Sequence, residues 1–304
     1  MYLILLVVEM HTISFGIPSY NEPHNVLRLL GMIESQVLPP SVNVKEVIIV
    51  DDSDDEHYGA LMRGIINYSH LPIEIIHNPA RRGVAAAWNS IFSRVSSEVL
   101  VLYDADVSIR TETTWRLISP LLSSDDLGLV AACVRPISSS SLAGLMSSYI
   151  AEWLSQMRTH YPRSKYLAMG RGMAVKTDVV RSLEIPREMI SVDLYVQLFT
   201  IMSGHDVGYA PDAIVEFRPP SLLREAISQT LRGFFGHRQL RVLSDRLLKN
   251  PSLGEELVYA FRVARQDIHR AAAAFLGYLL LFFLTPSLYK GACSYLWEIA
   301  ETSK

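Results

Sequence analysis

The sequence predicts an α/β fold, a mostly parallel sheet flanked by helices, with a helical region after it. Three observations carry this. Short apolar runs alternate with amphipathic helical stretches in the order βαβαβαβαβ up to about residue 134, the pattern of a parallel sheet covered by helices. Runs such as Val47-Ile48-Ile49-Val50 and Val99-Leu100-Val101-Leu102 are apolar without alternation, as strands buried on both faces are. Carboxylates follow both runs at once, at the strand ends where open α/β sheets bind ligands.

Bulk properties narrow the class. A chain of 304 residues can bury a large core. A net charge of −3 gives no reason to expect nucleic acid. The two cysteines, Cys133 and Cys293, are far apart and lack ligand-like spacing. That argues against a disulfide scaffold or a zinc site and fits a reducing compartment. Hydrophobic residues make up 49% and mean hydropathy is +0.20, apolar for a soluble enzyme, and the excess lies toward the C-terminus. The apolar octet 1–8 is too short to span a bilayer and has no basic flank or cleavage site. It is a short extra strand or anchor, or else the natural start is Met10.

Residues 11–17 read as a strand, followed by the loop Pro18-Ser19-Tyr20-Asn21-Glu22. A helix starts near Pro23, with Val26, Leu29, Leu30 and Ile33 on its apolar face. A second strand over 44–50 runs into Asp51-Asp52-Ser53-Asp54-Asp55, which is either a site at a strand end or the acidic start of the next helix. A third strand spans 73–77, and Arg82-Gly83 precedes a helix over 84–95, where backbone N–H groups and a guanidinium could hold an anion. The run over 99–102 leads through Tyr103 to Asp104 and Asp106. Two carboxylates one residue apart can ligate Mg²⁺ or Mn²⁺ while the cation bridges phosphate oxygens; the plainer alternative is a solvated loop. A helix over 113–122 and a strand over 127–134 complete this half.

Ser138–Ser141 reads as a loop and 142–160 as a helix bearing Tyr149 and Trp153. A glycine-rich strand over 169–175 follows. Asp193 precedes a helix over 194–203 and is an N-cap or a functional acid. The last strand covers 214–217. Beyond Pro219-Pro220, residues 222–248 combine apolar positions with Arg224, Arg232, Arg238, Arg241 and Arg246. This is a basic amphipathic helix or helix pair, either lying on an anionic membrane, packed on the domain, or gripping a diphosphate. Residues 271–289 carry no charge, close to the ~20 residues that span a bilayer. Arg262, Arg265 and Arg270 before them would keep the preceding domain on the cytoplasmic face. Spanning, re-entrant and buried readings are all open, since Pro286 lies inside the stretch.

Taken together, the motifs resemble family 2 glycosyltransferases, which are inverting enzymes with a Rossmann-like GT-A fold (the nucleotide-diphospho-sugar transferase type). The residues that carry the resemblance run from Thr12 to Arg241. They are Gly16-Ile17-Pro18-Ser19-Tyr20-Asn21-Glu22, Val47-Ile48-Ile49-Val50-Asp51-Asp52-Ser53, Asn78 with Arg82-Gly83, and Ala87-Trp88-Asn89. They continue with Asp104-Ala105-Asp106, Gly170-Arg171-Gly172-Met173-Ala174-Val175, Ser191-Val192-Asp193 and Gln229-Thr230-Leu231-Arg232. The resemblance implies a catalytic domain over 10–218, with a nucleotide-sugar half over about 10–134 and an acceptor half over 135–218. It implies that Pro18, Tyr20, Glu22 and Asp51 or Asp52 line the nucleoside pocket and that Arg82 lies near the nucleotide. Asp104 would face the ribose and sugar and join Asp106 at the metal, Mg²⁺ or Mn²⁺. Gln229 and Arg232 would approach the diphosphate, and Asp193 would be the base. The donor would be a UDP-sugar or another nucleoside-diphosphate sugar, and the acceptor lipid-linked or membrane-near.

Two positions depart from the family pattern. Val192 stands where Glu is frequent beside the base. Gly233 stands where membrane-bound polymerising members have Trp, which favours transfer of one sugar over processive polymerisation. A nucleotidyltransferase would show a glycine-rich loop after the first strand, and the Pro18–Glu22 loop has no glycine. A non-catalytic homologue, acting as a membrane scaffold or sensor of sugar nucleotides, is the remaining alternative.

Overall fold

The computed structural model describes residues 10–68 and 70–277, with 296 and 302. The octet 1–8 and most of the apolar stretch 271–289 lie outside the described residues.

The elements, in order, are β1 (His11–Ser19), α1 (Pro23–Glu34), β2 (Val42–Asp51), α2 (Asp55–Ile65), β3 (Ile73–His77), α3 (Val84–Arg94), β4 (Val99–Tyr103) and β5 (Val107–Ile109). Then come α4 (Thr113–Leu122), β6 (Leu127–Pro136), α5 (Leu142–His160), β7 (Gly172–Lys176), α6 (Thr177–Arg181), α7 (Val192–Met202) and β8 (Asp206–Phe217). Three helices close the series: α8 (Leu223–Gln239), α9 (Arg241–Leu247) and α10 (Leu253–Gln266).

One eight-stranded sheet runs in the order β3-β2-β1-β4-β7-β6-β8-β5. Its first four strands are parallel, as the alternating pattern predicts. The other half makes the sheet mixed: β7 is antiparallel to both β4 and β6, and β5 is antiparallel to β8. The connection from β4 to β5 also forces a curl. Four steps along the chain from Tyr103 to Val107 reach about 14 Å at most, whereas four strand spacings across a flat sheet need about 19 Å. Strands β4-β7-β6-β8-β5 therefore bend round, and Asp104-Ala105-Asp106 bridges the closure.

Each face of the sheet buries one apolar layer. Val26, Leu29, Leu30 and Ile33 of α1 join Leu117, Ile118 and Leu121 of α4 on one side; Trp88, Ile91 and Phe92 of α3 join Leu194, Val196 and Leu198 of α7 on the other. The helix starts are written locally. Pro23 opens α1, Asp54 accepts the His57 N–H at 3.0 Å to cap α2, and Ser141 accepts from Gly144 N at 3.0 Å to cap α5.

The C-terminal helices pack on the domain in part. The basic stretch forms the pair α8 and α9, and Ala226, Ile227, Leu231 and Phe235 of α8 are already buried against the domain. That part of its apolar face is occupied by protein, while Phe234 stays 63% exposed. Tyr149 Oη donates to the Ala260 carbonyl (2.8 Å) and Trp153 Nε1 to that of Glu256 (3.2 Å), which docks α10 on α5. No helix among the described residues is long and apolar enough to cross a membrane.

Candidate active site

The parallel strands end together, and so do their polar loops. Pro18 is paired with Val50 at the end of β1. Asn21 follows with φ 52°, a left-handed conformation that Asn tolerates. Its N–H donates to Ser53 Oγ (2.7 Å), and its Oδ1 accepts from Asp54 N (3.2 Å), which ties the loop after β1 to the loop after β2. Glu22 caps the entry to α1 and accepts from Asn25 Nδ2 at 3.1 Å. Tyr20 lies under the Arg81 guanidinium, 4.4 Å from its carbon to the ring centre.

The two carboxylates after β2 have different tasks. Asp51 is 1% exposed; its Oδ1 accepts from Ser53 Oγ (2.6 Å) and its Oδ2 lies 3.2 Å from His77 Nδ1. The His77 ring stacks on Tyr58 at 3.8 Å. Asp52 turns instead to the segment before α3. Its Oδ2 accepts the N–H groups of Arg82 (2.7 Å) and Gly83 (2.9 Å), and its Oδ1 accepts from Asn78 Nδ2 (2.9 Å). Gly83 has φ 91°, where a side chain would be strained, so glycine is required there. Asp52 is thus a brace for the Asn78–Gly83 turn, and the Arg82 side chain lies 3.4 Å from Asn78 Oδ1. Asp54 has the helix-start role, so the acidic run both ties the strand-end loops together and starts a helix.

Asp52→Ala leaves three donors without their acceptor. Unsatisfied donors cost about 1–3 kcal/mol each where buried, and partial access to water reduces the sum. The expected loss is about 3 kcal/mol in urea unfolding, and a change below about 0.5 kcal/mol would remove the bracing role.

Asp104 and Asp106 follow β4 in the closure of the sheet, both half-buried. The Asp104 carboxyl is pushed up to about 7 by burial first and by the neighbouring Asp106 charge second, with Arg171 and Arg232 opposing. Arg232 of α8 is held down to about 10, by burial first and then by the Arg171 charge, while Asp104, Asp193 and Asp106 favour its charged form. It remains a cation at neutral pH. Gly236, one turn further on, allows this approach: a Cβ there would sit 2.7 Å from the Ser191 Cβ. α8 therefore crosses the start of α7 closely and brings Arg232 over the carboxylates. Gln229 is three residues before Arg232 and shares that helix side.

Asp193 lies in the first turn of α7, where Ser191 is the N-cap residue. Its Oδ2 accepts the Gly170 N–H (3.1 Å), and its Oδ1 accepts from Leu194 N (2.9 Å) and Ser191 Oγ (3.1 Å). The glycine-rich strand entry thus fixes the acid. Behind it, Gln197 accepts from Ala168 N (3.1 Å) and donates to the Ser164 carbonyl (2.9 Å). Asn89 exchanges a pair of 2.8 Å hydrogen bonds with the Ile185 backbone and anchors the loop that leads to Ser191.

Sequence reasoning named Asp104, Asp106, Asp193 and Arg232, and their charges act on one another in the structure. It passed over Arg171, read as part of a glycine-rich strand, and Tyr58 and His77, which join the named Asp51 from α2 and β3. For a divalent cation, Asp104 and Asp106 supply two hard oxygen donors. No cluster of three or more His, Cys, Asp or Glu among the described residues could hold one. The remaining ligands would have to come from water and phosphate, which is the habit of Mg²⁺ and Mn²⁺. A cation would also relieve the repulsion that raises Asp104.

Comparison with known proteins agrees with this geometry. A dolichol-phosphate mannosyltransferase of Pyrococcus furiosus is 26% identical over 123 residues, 40% of this chain and 34% of its own. The probable glycosyltransferase YdaM of Bacillus subtilis is 24% identical over 156 residues, 49% of this chain and 36% of its own. The chain therefore spans about a third of each of these relatives. Among solved structures, mannosyltransferase PcManGT of Pyrobaculum calidifontis, in complex with GDP-Man and Mn²⁺, superposes with TM-score 0.62 at 18% identity over 93% of this chain and 80% of its own. TarS of S. aureus gives 0.50 at 16% identity over 73% and 38%. The fold is the GT-A fold of glycosyltransferases. The profile of "Glycosyl transferase family 2" matches residues 14–177, more than half of the chain, and the protein belongs to that family.

Proposed function

We propose that the protein moves one sugar from a nucleoside-diphosphate sugar to a hydroxyl or phosphate of a lipid-linked or membrane-near acceptor, inverting the anomeric carbon. The observation that carries this is the convergence of Asp104, Asp106, Asp193 and Arg232 beyond the end of β4. Tyr20, with Asp51 and His77, would line the nucleoside pocket, and the Asp52 brace would shape its floor. Asp104 and Asp106 would hold Mg²⁺ or Mn²⁺, and the bound cation neutralises charge on the diphosphate. Asp193 would take the proton from the acceptor oxygen as it attacks the anomeric carbon from the side opposite the leaving group. Arg232 would face the departing diphosphate. One in-line displacement inverts the centre and needs no covalent sugar–enzyme step.

The Pyrobaculum complex with GDP-Man and Mn²⁺ supports a sugar nucleotide and a divalent cation. The name of the Pyrococcus relative supports a lipid phosphate acceptor. Beside Gly233 no described residue lies within 4 Å of where a Cβ would stand, and that open space suits an acceptor released after one transfer. α10 exposes Leu253, Leu257, Val258 and Phe261, with Arg262 and Arg265 beside them, which supports docking on the cytoplasmic face of a membrane.

A thermal-shift screen of UDP-, GDP- and dTDP-sugars with Mn²⁺ or Mg²⁺, then with chelator, tests the donor. Stabilisation by at least one donor that chelator removes is expected; no shift with any donor, with or without anionic vesicles, would overturn the reading. Flotation with those vesicles tests the docking, and protein left at the bottom of the gradient would exclude it.

A further inference from the structure

Arg171 stands between two residues on which the site depends. Gly170 before it donates its N–H to Asp193, and Gly172 after it pairs with Tyr103, the residue preceding Asp104. Its guanidinium carbon lies 4.0 Å from the centre of the Phe217 ring. Phe217 in turn pairs with Val107, the residue following Asp106. A stack on an aromatic face thus fixes the guanidinium beside the Asp104–Asp106 bridge. Its Nε is buried and makes no hydrogen bond among the described residues, an expensive state for a donor. Arg171 also faces a second cation, Arg232, and the two repel. Packing like charges together while leaving a buried donor unmet is the signature of a site shaped for an anion.

Charge balance identifies the anion. With Asp104 and Asp106 assigned to a divalent cation, the two guanidiniums are left to face two negative charges, while Asp193 stays available to the acceptor. A diphosphate supplies two negative charges in one compact group. We propose that Arg171 is a ligand of the donor's diphosphate and forms with Arg232 a two-guanidinium clamp on the leaving group. This rests on the donor reading above. In the displacement, the bond from the anomeric carbon to the β-phosphate oxygen breaks and its electron pair goes to that oxygen. The acceptor oxygen forms the new bond and its proton passes to Asp193. Arg171 donates hydrogen bonds to the diphosphate as its charge grows. The sequence conceals this role because Gly170-Arg171-Gly172 reads as a strand entry, and Phe217 lies 46 positions further on.

The test compares nucleoside diphosphates with monophosphates. GDP, UDP, GMP and UMP are titrated calorimetrically, with Mn²⁺, into wild type, Arg171→Gln and Arg171→Lys, each first shown to be folded by its melting curve. Arg171→Gln should weaken the preferred diphosphate by roughly 10- to 100-fold, the scale of charge-assisted hydrogen bonds, and the matching monophosphate by less than about threefold. Arg171→Lys, which keeps the charge but lacks the planar fork, should fall between and carries the test if Arg171→Gln does not fold. An equal loss for mono- and diphosphate, or no loss for either, would overturn the clamp while leaving the donor reading intact. Wild type that binds neither diphosphate would sink the donor reading, and the clamp with it.

Discussion

Asp193→Asn should lower turnover by about 10²- to 10⁴-fold, the range that a positioned general base contributes, while nucleoside-diphosphate affinity stays within a few-fold of wild type. The geometry makes the two effects separable. The Asp193 carboxylate is held by Gly170 N, Leu194 N and Ser191 Oγ, none of which belongs to the nucleoside loops after β1 and β2. Asn preserves the oxygen that faces Leu194 and Ser191, turns an NH₂ toward Gly170, and cannot accept the acceptor's proton. Steady-state rates against the donor found by the screen, together with diphosphate titrations, check both halves. Unchanged turnover would remove Asp193 as the base, and a parallel loss of nucleotide affinity would make it a structural residue of the pocket.

The second large effect is on cation-dependent binding. Asp106→Ala should reduce Mn²⁺-dependent diphosphate affinity by about 100-fold or more, because it removes one of the two side-chain oxygen ligands proposed for the cation. The same pair imposes a pH dependence. The Asp104 carboxyl, ordinarily near 3.8, is raised to about 7 by burial and by Asp106. Below pH 7 a cation must displace a proton there, so apparent affinity should climb as pH rises from about 5 to 7, by up to about tenfold per unit, and level off above. The effect on folding has the opposite sign. A raised carboxyl binds its proton more tightly folded than unfolded, so its contribution is fully present below pH ~4 and lost as pH rises through about 7. Asp104→Asn should therefore melt higher than wild type at pH 8 without metal and lose catalysis at the same time. A pH-independent Mn²⁺ affinity between 5 and 7 would show that Asp104 does not ligate the cation.

Much of this site was readable before any coordinates, for a physical reason. Strands buried on both faces announce themselves by uninterrupted apolar runs, and whatever polar residue ends the run marks the ligand-binding edge. Asp51, Asp104 and Asp106 were visible in that way. Helices with regular periodicity, such as α4 and α5, were read to their ends. The three-residue strand β5 carries no run of its own and exists only through its pairing with β8. β8 itself starts at Asp206, eight residues before the apolar segment that betrays it, since pairing with β6 holds its polar half. α10 escaped although Ser252 and Glu255 form a capping box, a local signal that was there to be used. The placement of α8 stayed open in the sequence because a basic amphipathic helix suits a lipid surface, a protein face and an acidic cleft equally; the close approach of Gly236 to Ser191 brings it against the domain. Arg171, Tyr58 and His77 depend on contacts between distant segments, which no local pattern records.

The bridging position of Asp104-Ala105-Asp106 also dictates a timetable. β5 pairs as a strand with β8, through Val107–Phe217, Ser108–Glu216 and Ile109–Val215, partners that emerge from the ribosome some hundred residues later. Until β8 arrives, α1 can hold this segment through Arg28, on the Val107 carbonyl (3.3 Å) and Ser108 Oγ (3.1 Å), but β5 has no strand to pair with and the second carboxylate lacks its sheet support. Closing so long a loop is entropically slow compared with forming the local β-α units. Arg232, from α8, comes later still. The half that reads as a nucleotide domain can therefore fold early and remain chemically silent, and competence arrives with the last strand and the helix behind it.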